Sequence, residues 1–98
     1  MRLYINTESN VYHIEPDAMI RGNMLYSDGS SLKTVSGHSM IATTIVGQAG
    51  RHGFAESNRP EALTFNLITG FAQLDKKKFV ILVDSGNHCL RLLDRKTM

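Results

Sequence analysis

Hydrophobic residues along the chain fall into short runs that are separated by clusters of turn-forming residues. The clearest case is residues 79–94, where two apolar runs flank Asp-Ser-Gly-Asn at positions 84–87. Aspartate accepts hydrogen bonds within a turn, and glycine and asparagine tolerate positive φ at little cost. The pattern predicts a β-hairpin that pairs residues 79–84 with residues 88–94. Since both faces of this hairpin carry apolar residues, we expect each face to be covered by another layer.

The N-terminal half repeats this pattern less regularly. Residues 24–27 and 32–35 predict a second hairpin, in which Asp28 aligns with Asp84 and Leu32 with Leu90. No stretch has sustained helical spacing, apart from a short helical turn that residues 62–68 could contain, so the chain is predicted to be essentially all-β. The sequence also predicts a hairpin that pairs residues 3–6 with residues 11–14, and a turn at residues 15–17. Two further strands are predicted at residues 18–21 and 40–46.

Residues 84–91, Asp-Ser-Gly-Asn-His-Cys-Leu-Arg, resemble the Asp-Ser-Gly-Asn-His-Arg-Ile core of the NHL repeat, a β-propeller blade. Residues 43–47, 50–56 and 65–72 are similar to the blade-ending strand, the glycine-rich connector and the start of the next blade, in the family's order. The likeness covers residues 43–95 well and residues 3–47 as a degenerate copy. Two features depart from the family: residues 67–69 lack a proline, and Cys89 replaces the usual arginine. Any ligand contact that this arginine makes in the family is therefore not expected of Cys89.

The resemblance implies an all-β fold of about two antiparallel β-propeller blades, an incomplete propeller of the six-bladed type. Blade one would span about residues 3–47, a connector residues 48–64, and an incomplete blade two about residues 65–98 of the single domain 1–98. A closed ring needs ~4–8 blades, and repeat arrays need ~3 or more units to bury their faces. We therefore expect additional blades from more chain, or self-association of copies.

Residues suited to catalysis are sparse. The single cysteine, Cys89, allows no intrachain disulfide, and its apolar strand predicts a buried, inert thiol. Asp28 and Asp84 could act as carboxylate catalysts, but capping their own turns accounts for both. No nucleotide-binding glycine motif or nucleophile elbow occurs, and no cofactor is predicted. Four histidines lie in separate turns or strand ends without i, i+4 pairing: His13, His38, His52 and His88.

That spacing predicts no metal site, although a ring of inward-facing histidines on a propeller axis stays open as an alternative. Basic residues interleaved with an aromatic side chain occur once, in the connector, which makes Arg51, His52 and Arg59 the candidate binding residues. The run of lysines at residues 76–78 predicts a solvated hairpin turn, or alternatively an anion-binding patch.

Composition narrows the function classes. The chain has 98 residues, is 42% hydrophobic and carries a formal charge of +2, which is typical of one globular domain and too small a charge to indicate nucleic acid. No 18-residue apolar stretch and no apolar leader occur, so we expect no membrane contact; the compartment is unknown, with the cytoplasm favoured.

Two classes of function stay open. The first is a non-catalytic scaffold or binding module, a fragment of a larger propeller whose loops bind a protein, with RNA or carbohydrate as other ligands. The alternative, which rests on the resemblance, is part of a metal-dependent NHL-propeller enzyme whose catalytic residues lie outside this chain. The scaffold is favoured, because clustered histidine and acidic ligands do not occur in the sequence.

Overall fold

The computed structural model describes Thr7, residues 10–48, Gly53, residues 64–74 and residues 78–96. In these residues the chain is all-β apart from one 3-10 turn, at Ser85–Asn87. The strands form two antiparallel sheets: sheet 1 in the order β1-β2-β3-β4 and sheet 2 in the order β5-β6-β7. The strand bounds are β1 His13–Pro16, β2 Asn23–Ser27, β3 Ser31–Ser36, β4 Ala42–Gly47, β5 Ile68–Gln73, β6 Phe79–Asp84 and β7 Cys89–Asp94.

Two of the predicted hairpins, at residues 79–94 and 24–35, are confirmed. Strands β6 and β7 pair from Phe79 opposite Asp94 to Asp84 opposite Cys89. Strands β2 and β3 pair over a similar length, and their turn contains Asp28. Local alternation and a turn between the runs are enough to define such pairs, which explains why the sequence predicted them.

The segment between β1 and β2 differs from its prediction. Residues 18–21 form a bend and turn and not a strand, because the Asp17 carboxylate accepts the backbone N–H groups of Met19 and Ile20 at 2.9 and 3.1 Å. Pro16 ends β1 and does not lie in a turn. Strand β1 is an edge strand of sheet 1 among the described residues, and proline, which has no N–H group, is tolerated in an edge strand.

Two other predictions are only partly open to comparison. The first strand of the predicted N-terminal hairpin, at residues 3–6, lies outside the described residues, and β1 pairs with β2. The helical turn considered for residues 62–68 begins outside the described residues, and residues 64–68 contain no helix.

The two sheets pack face to face around one hydrophobic core. Cross-strand partners share a face, so each sheet presents one apolar face to the other. Sheet 1 supplies Leu25, Leu32 and Val46, each fully buried. Sheet 2 and the residues that lead into it supply the remaining core side chains: Phe65, Ile68, Phe71, Val80, Leu82 and Leu93.

Polar contacts fix how the sheets sit against each other. The Ser27 hydroxyl donates to the Ile68 carbonyl, and the Ile68 N–H donates to the Gly29 carbonyl, both at 2.7 Å. The Gln73 side-chain amide donates to the Glu15 carboxylate at 2.8 Å and to the Pro16 carbonyl at 2.7 Å. Specific hydrogen bonds of this kind set one relative position of two apolar faces that could otherwise slide.

Only one face of the β6–β7 hairpin is covered. Val80 and Leu82 are buried against sheet 1, whereas Val83, Leu90 and Leu92 on the opposite face are 36%, 68% and 66% exposed. Within the described residues no third layer lies over this side of sheet 2, and the expectation that another layer covers each face stays a prediction about additional blades or copies.

Candidate functional site

The Asp84 carboxylate lies at the centre of the most polar cluster in sheet 2. Strand β6 ends at Asp84, whose side chain is fully buried. Its Oδ1 accepts the backbone N–H of Asn66 at 2.8 Å, and its Oδ2 accepts the side-chain amide of Asn87, also at 2.8 Å. The Arg91 guanidinium lies 3.4 Å from the same Oδ2. Both carboxylate oxygens are therefore occupied by protein donors.

This arrangement corrects the way in which Asp84 was expected to act. No backbone N–H of the 3-10 turn at Ser85–Asn87 donates to the Asp84 side chain. The carboxylate instead joins three separate segments, through Asn66 before β5, Asn87 in the turn and Arg91 in β7. The role is still structural, but Asp84 connects distant segments and does not cap its own turn.

Arg91 lies among apolar residues of β7. A long stem in such a place can pack while the charge extends into water, but Arg91 does not follow that pattern. The side chain is only 13% exposed, and its guanidinium donates to the Thr64 carbonyl at 2.7 Å. The guanidinium also lies over the Phe65 ring, 4.4 Å from the ring centroid, so the charge interacts with the aromatic face as well as with Asp84.

The same turn contacts Gly53, a described residue of the connector. The Asn87 side-chain amide donates to the Gly53 carbonyl, and the Gly53 N–H donates to the Phe65 carbonyl, both at 2.9 Å. Gly86 lies so close to Asn66 that a side chain at position 86 would collide with the Asn66 backbone carbonyl. His88 adopts a left-handed conformation, with φ of 57°, which turns the chain into β7.

Sheet 1 contains a related cluster around Asp28. Its Oδ1 accepts the backbone N–H groups of Ser30 and Ser31 at 3.1 and 2.8 Å, and the Ser31 hydroxyl at 3.0 Å. Asp28 thus caps its own turn, as predicted. Its Oδ2 forms an ion pair with Lys33 Nζ at 3.2 Å but accepts no hydrogen bond of good geometry.

The two clusters follow the internal repeat. Asp28 aligns with Asp84, and Lys33, next to Leu32, aligns with Arg91, next to Leu90; each aspartate pairs with its aligned cation. Burial alone would raise the pKa of Asp28, but hydrogen bonds from Ser31 and the positive charge of Lys33 outweigh the burial and hold that pKa below its usual value.

A third buried ion pair joins the two sheets and was not predicted. Arg95, just after β7, contacts Asp17, just after β1, with Nη1 to Oδ1 at 2.7 Å and Nη2 to Oδ2 at 3.2 Å. Thr34 donates its hydroxyl to the same carboxylate at 2.7 Å. Local sequence patterns do not predict an ion pair between residues so far apart in sequence. The sequence shows only that a charged residue directly follows each of the two strands.

The chemistry available to these clusters is limited. Asp17, Asp28 and Asp84 are buried carboxylates, and each forms an ion pair with a lysine or arginine of this chain. The His13 ring packs edge-on against Phe71, with centroids 4.4 Å apart. Within the described residues, no group of three or more histidine, cysteine, aspartate or glutamate side chains is arranged to hold a metal ion.

The predicted binding residues Arg51, His52 and Arg59 all lie outside the described residues, as do two of the three lysines in the run at residues 76–78. The third, Lys78, lies over the Phe79 ring at 4.7 Å. Cys89 is partly exposed, so the prediction that it is buried is wrong. Cys89 is the first residue of β7 and directly follows the turn, so it lies at the end of the sheet.

Comparison with known proteins gives no relative from which a function can be transferred: no protein-family model, no curated protein and no solved structure matches this chain significantly. Among the described residues, no helix has the length and apolar character needed to cross a membrane.

Proposed function

We propose that this chain is a non-catalytic binding module made of two NHL-like blades, in which the connector between the sheets is presented to a protein partner. The observation that carries the proposal is the attachment of Gly53. Its carbonyl accepts the Asn87 side chain and its N–H donates to Phe65, so the connector backbone is held against sheet 2 at this residue. Arg51 and His52 precede this point directly in sequence.

A connector held in this way suits recognition. Fixing a loop on a rigid scaffold lowers the conformational entropy that binding would otherwise cost. Binding residues are commonly carried by loops that a scaffold positions. The buried carboxylates Asp28 and Asp84 support the scaffold role, because Asp28 caps its turn and Asp84 connects Asn66, Asn87 and Arg91.

A protein partner is favoured over RNA by charge. Tight binding to a nucleic-acid backbone depends on several phosphate contacts from lysine and arginine. The chain has a formal charge of only +2, and the candidate residues include two arginines and one histidine. Arginine is, by contrast, among the residues that contribute most to protein interfaces.

The test is site-specific crosslinking of the full chain. A photoreactive phenylalanine analogue at Phe54 reports on the connector, and the same analogue at the exposed Ile41 is the control. In an extract of the source cells, we expect a protein adduct from position 54 that resists ribonuclease, is competed by unlabelled chain and is absent from position 41.

Variants then identify the residues. Replacing Arg51, His52 and Arg59 by alanine should abolish the adduct, whereas alanine at the exposed Arg21 and His38 should leave it intact. An adduct lost on ribonuclease treatment would instead indicate RNA. Equal crosslinking from both positions, or an adduct that survives the triple substitution, would overturn the proposal.

A further inference from the structure

The open face of sheet 2 corresponds to a face of sheet 1 that is already covered. On sheet 1, Leu25 lies opposite Thr34 and Ser27 opposite Leu32, and these four residues face the core. With Asp28 aligned to Asp84, Leu25 and Ser27 correspond to Ile81 and Val83. With Leu32 aligned to Leu90, Thr34 corresponds to Leu92.

These corresponding residues also share one face. In sheet 2, Ile81 lies opposite Leu92 and Val83 opposite Leu90. We call this the outer face of sheet 2; it continues on β5 with the small residues Gly70 and Ala72. The repeat therefore places the same kind of face on both sheets, covered in sheet 1 and open in sheet 2.

The open face is more apolar than its covered counterpart. Ser27 and Thr34 are replaced by Val83 and Leu92, yet Leu90 and Leu92 are 68% and 66% exposed, whereas Leu25 and Leu32 are fully buried. A contiguous exposed apolar patch on a sheet is typical of an interaction surface. Its composition is suited to packing against another sheet.

The contact inside the chain shows which surface fits. The inner face of sheet 1 is covered by the side of sheet 2 that carries Val80, Leu82 and Leu93. By the same alignment, these residues correspond to Met24, Tyr26 and Val35, which share the outer face of sheet 1.

Part of this second surface is open as well. Tyr26 and Val35 are already buried within the chain, but Ile14, directly opposite Tyr26 on the neighbouring strand, is 53% exposed. Ile14 therefore marks the accessible part of the outer face of sheet 1.

We propose that the outer face of sheet 2 in one copy docks on the outer face of sheet 1 in a second copy. The inference rests on the blade organisation in the proposed function, and its occupant is another copy of this chain. The contact joins two different surfaces, head to tail, so the dimer as a whole keeps one free face of each kind and the association can continue beyond a dimer.

Sedimentation equilibrium of the full chain over a range of concentrations tests the proposal. We expect reversible association, weakened by more than about tenfold when Leu90 and Leu92 are both replaced by lysine, because a charge would then enter an apolar contact. Ile14→Lys should weaken it similarly. Ile41→Lys is the matched control, since Ile41 is 67% exposed but lies on neither face, and should leave association unchanged.

Mixing the two variants separates head-to-tail docking from other modes. The Leu90→Lys, Leu92→Lys variant keeps an intact outer face on sheet 1, and Ile14→Lys keeps one on sheet 2. A mixture should therefore form a heterodimer that goes no further. Wild-type chain that stays monomeric, or association that Ile14→Lys does not change, would overturn the proposal.

Folding of each variant is checked by far-ultraviolet circular dichroism, and the milder pair Leu92→Ala and Ile14→Ala replaces any variant that unfolds. Crosslinking from the connector is read out separately. If the chain associates but gives no crosslink from position 54, the proposed binding function is rejected and the proposed docking between copies is not.

Discussion

Replacing Arg95 by methionine should strongly destabilise the chain. The Arg95 guanidinium and the Asp17 carboxylate form a two-point ion pair between the end of sheet 2 and the turn after β1, and their side chains are 4% and 0% exposed. Methionine keeps most of the apolar stem of arginine but removes its charge and its donors. The substitution therefore leaves a buried carboxylate without its cation.

The expected loss can be worked out from the contacts of Asp17. Five hydrogen bonds reach this carboxylate, two of them from Arg95 and the others from Thr34, Met19 and Ile20. Removing one partner of a buried ion pair costs about 3–5 kcal/mol. Because three donors remain, we expect the lower part of that range, about 3 kcal/mol. A chain of this size has about 5–15 kcal/mol in total.

Urea unfolding at neutral pH measures this loss, and Asp17→Asn with the double variant completes a cycle that isolates the pairwise energy. We expect a coupling of about 2 kcal/mol. Lys96→Met is the control, since Lys96 is exposed and should change stability by less than about 0.5 kcal/mol. A loss below about 1 kcal/mol for Arg95→Met, or a coupling near zero, would refute the reasoning.

The coupling should also depend on pH. Burial would raise the pKa of Asp17, but hydrogen bonds from Arg95, Thr34 and the Met19 N–H, together with the Arg95 charge, hold it below its usual value of 3.8. A lowered folded pKa gives stability that is complete above the unfolded value and is lost as pH falls through the folded pKa. Wild type should therefore lose more stability in acid than Arg95→Met, and parallel acid curves would contradict the assignment.

Three further predictions concern the turn at the end of β6. Asp84→Ala should lower the free energy of unfolding in urea by about 3 kcal/mol, because Arg91 loses its anion and the Asn66 N–H loses its acceptor. Asp84→Asn should lower it less. Equal, small losses for the two variants would count against the Asp84 cluster. Gly86→Ala should cost about 1–3 kcal/mol through collision with the Asn66 carbonyl, and a neutral result would show that the turn relaxes. Cys89 should react with a thiol reagent in the folded chain faster than global unfolding permits; protection until unfolding would show that it is buried.

The hairpins were predictable because their information is local. In residues 79–94, alternation places Val80 and Leu82 on one face, and the turn residues fix which strands pair. The Asp28 and Asp84 positions were found for the same reason. What local alternation does not tell is which face is covered, since that depends on the layer that packs against it.

The contacts missed from the sequence are those between distant segments. Asp17 and Arg95 are brought together by the packing of sheet 1 on sheet 2, and Asp84 and Asn66 by the pairing of β6 with β5 inside sheet 2. Residues 18–21 were predicted as a strand, but the carboxylate of the adjacent Asp17 accepts the backbone N–H groups of Met19 and Ile20, and this local contact gives them a turn. The partner of a buried charge is likewise a property of the assembled core.

The packing of sheet 1 on sheet 2 brings Asp17 to Arg95 and buries one face of sheet 2 while its outer face stays open. Nuclear Overhauser effects in a dilute, isotope-labelled sample test it most directly. We predict cross-peaks between the rings of His13 and Phe71, whose centroids are 4.4 Å apart, and between Gly29 and the Ile68 amide, which are joined by a hydrogen bond. Cross-peaks within β1–β4 and within β5–β7, with none between the two sets, would contradict it.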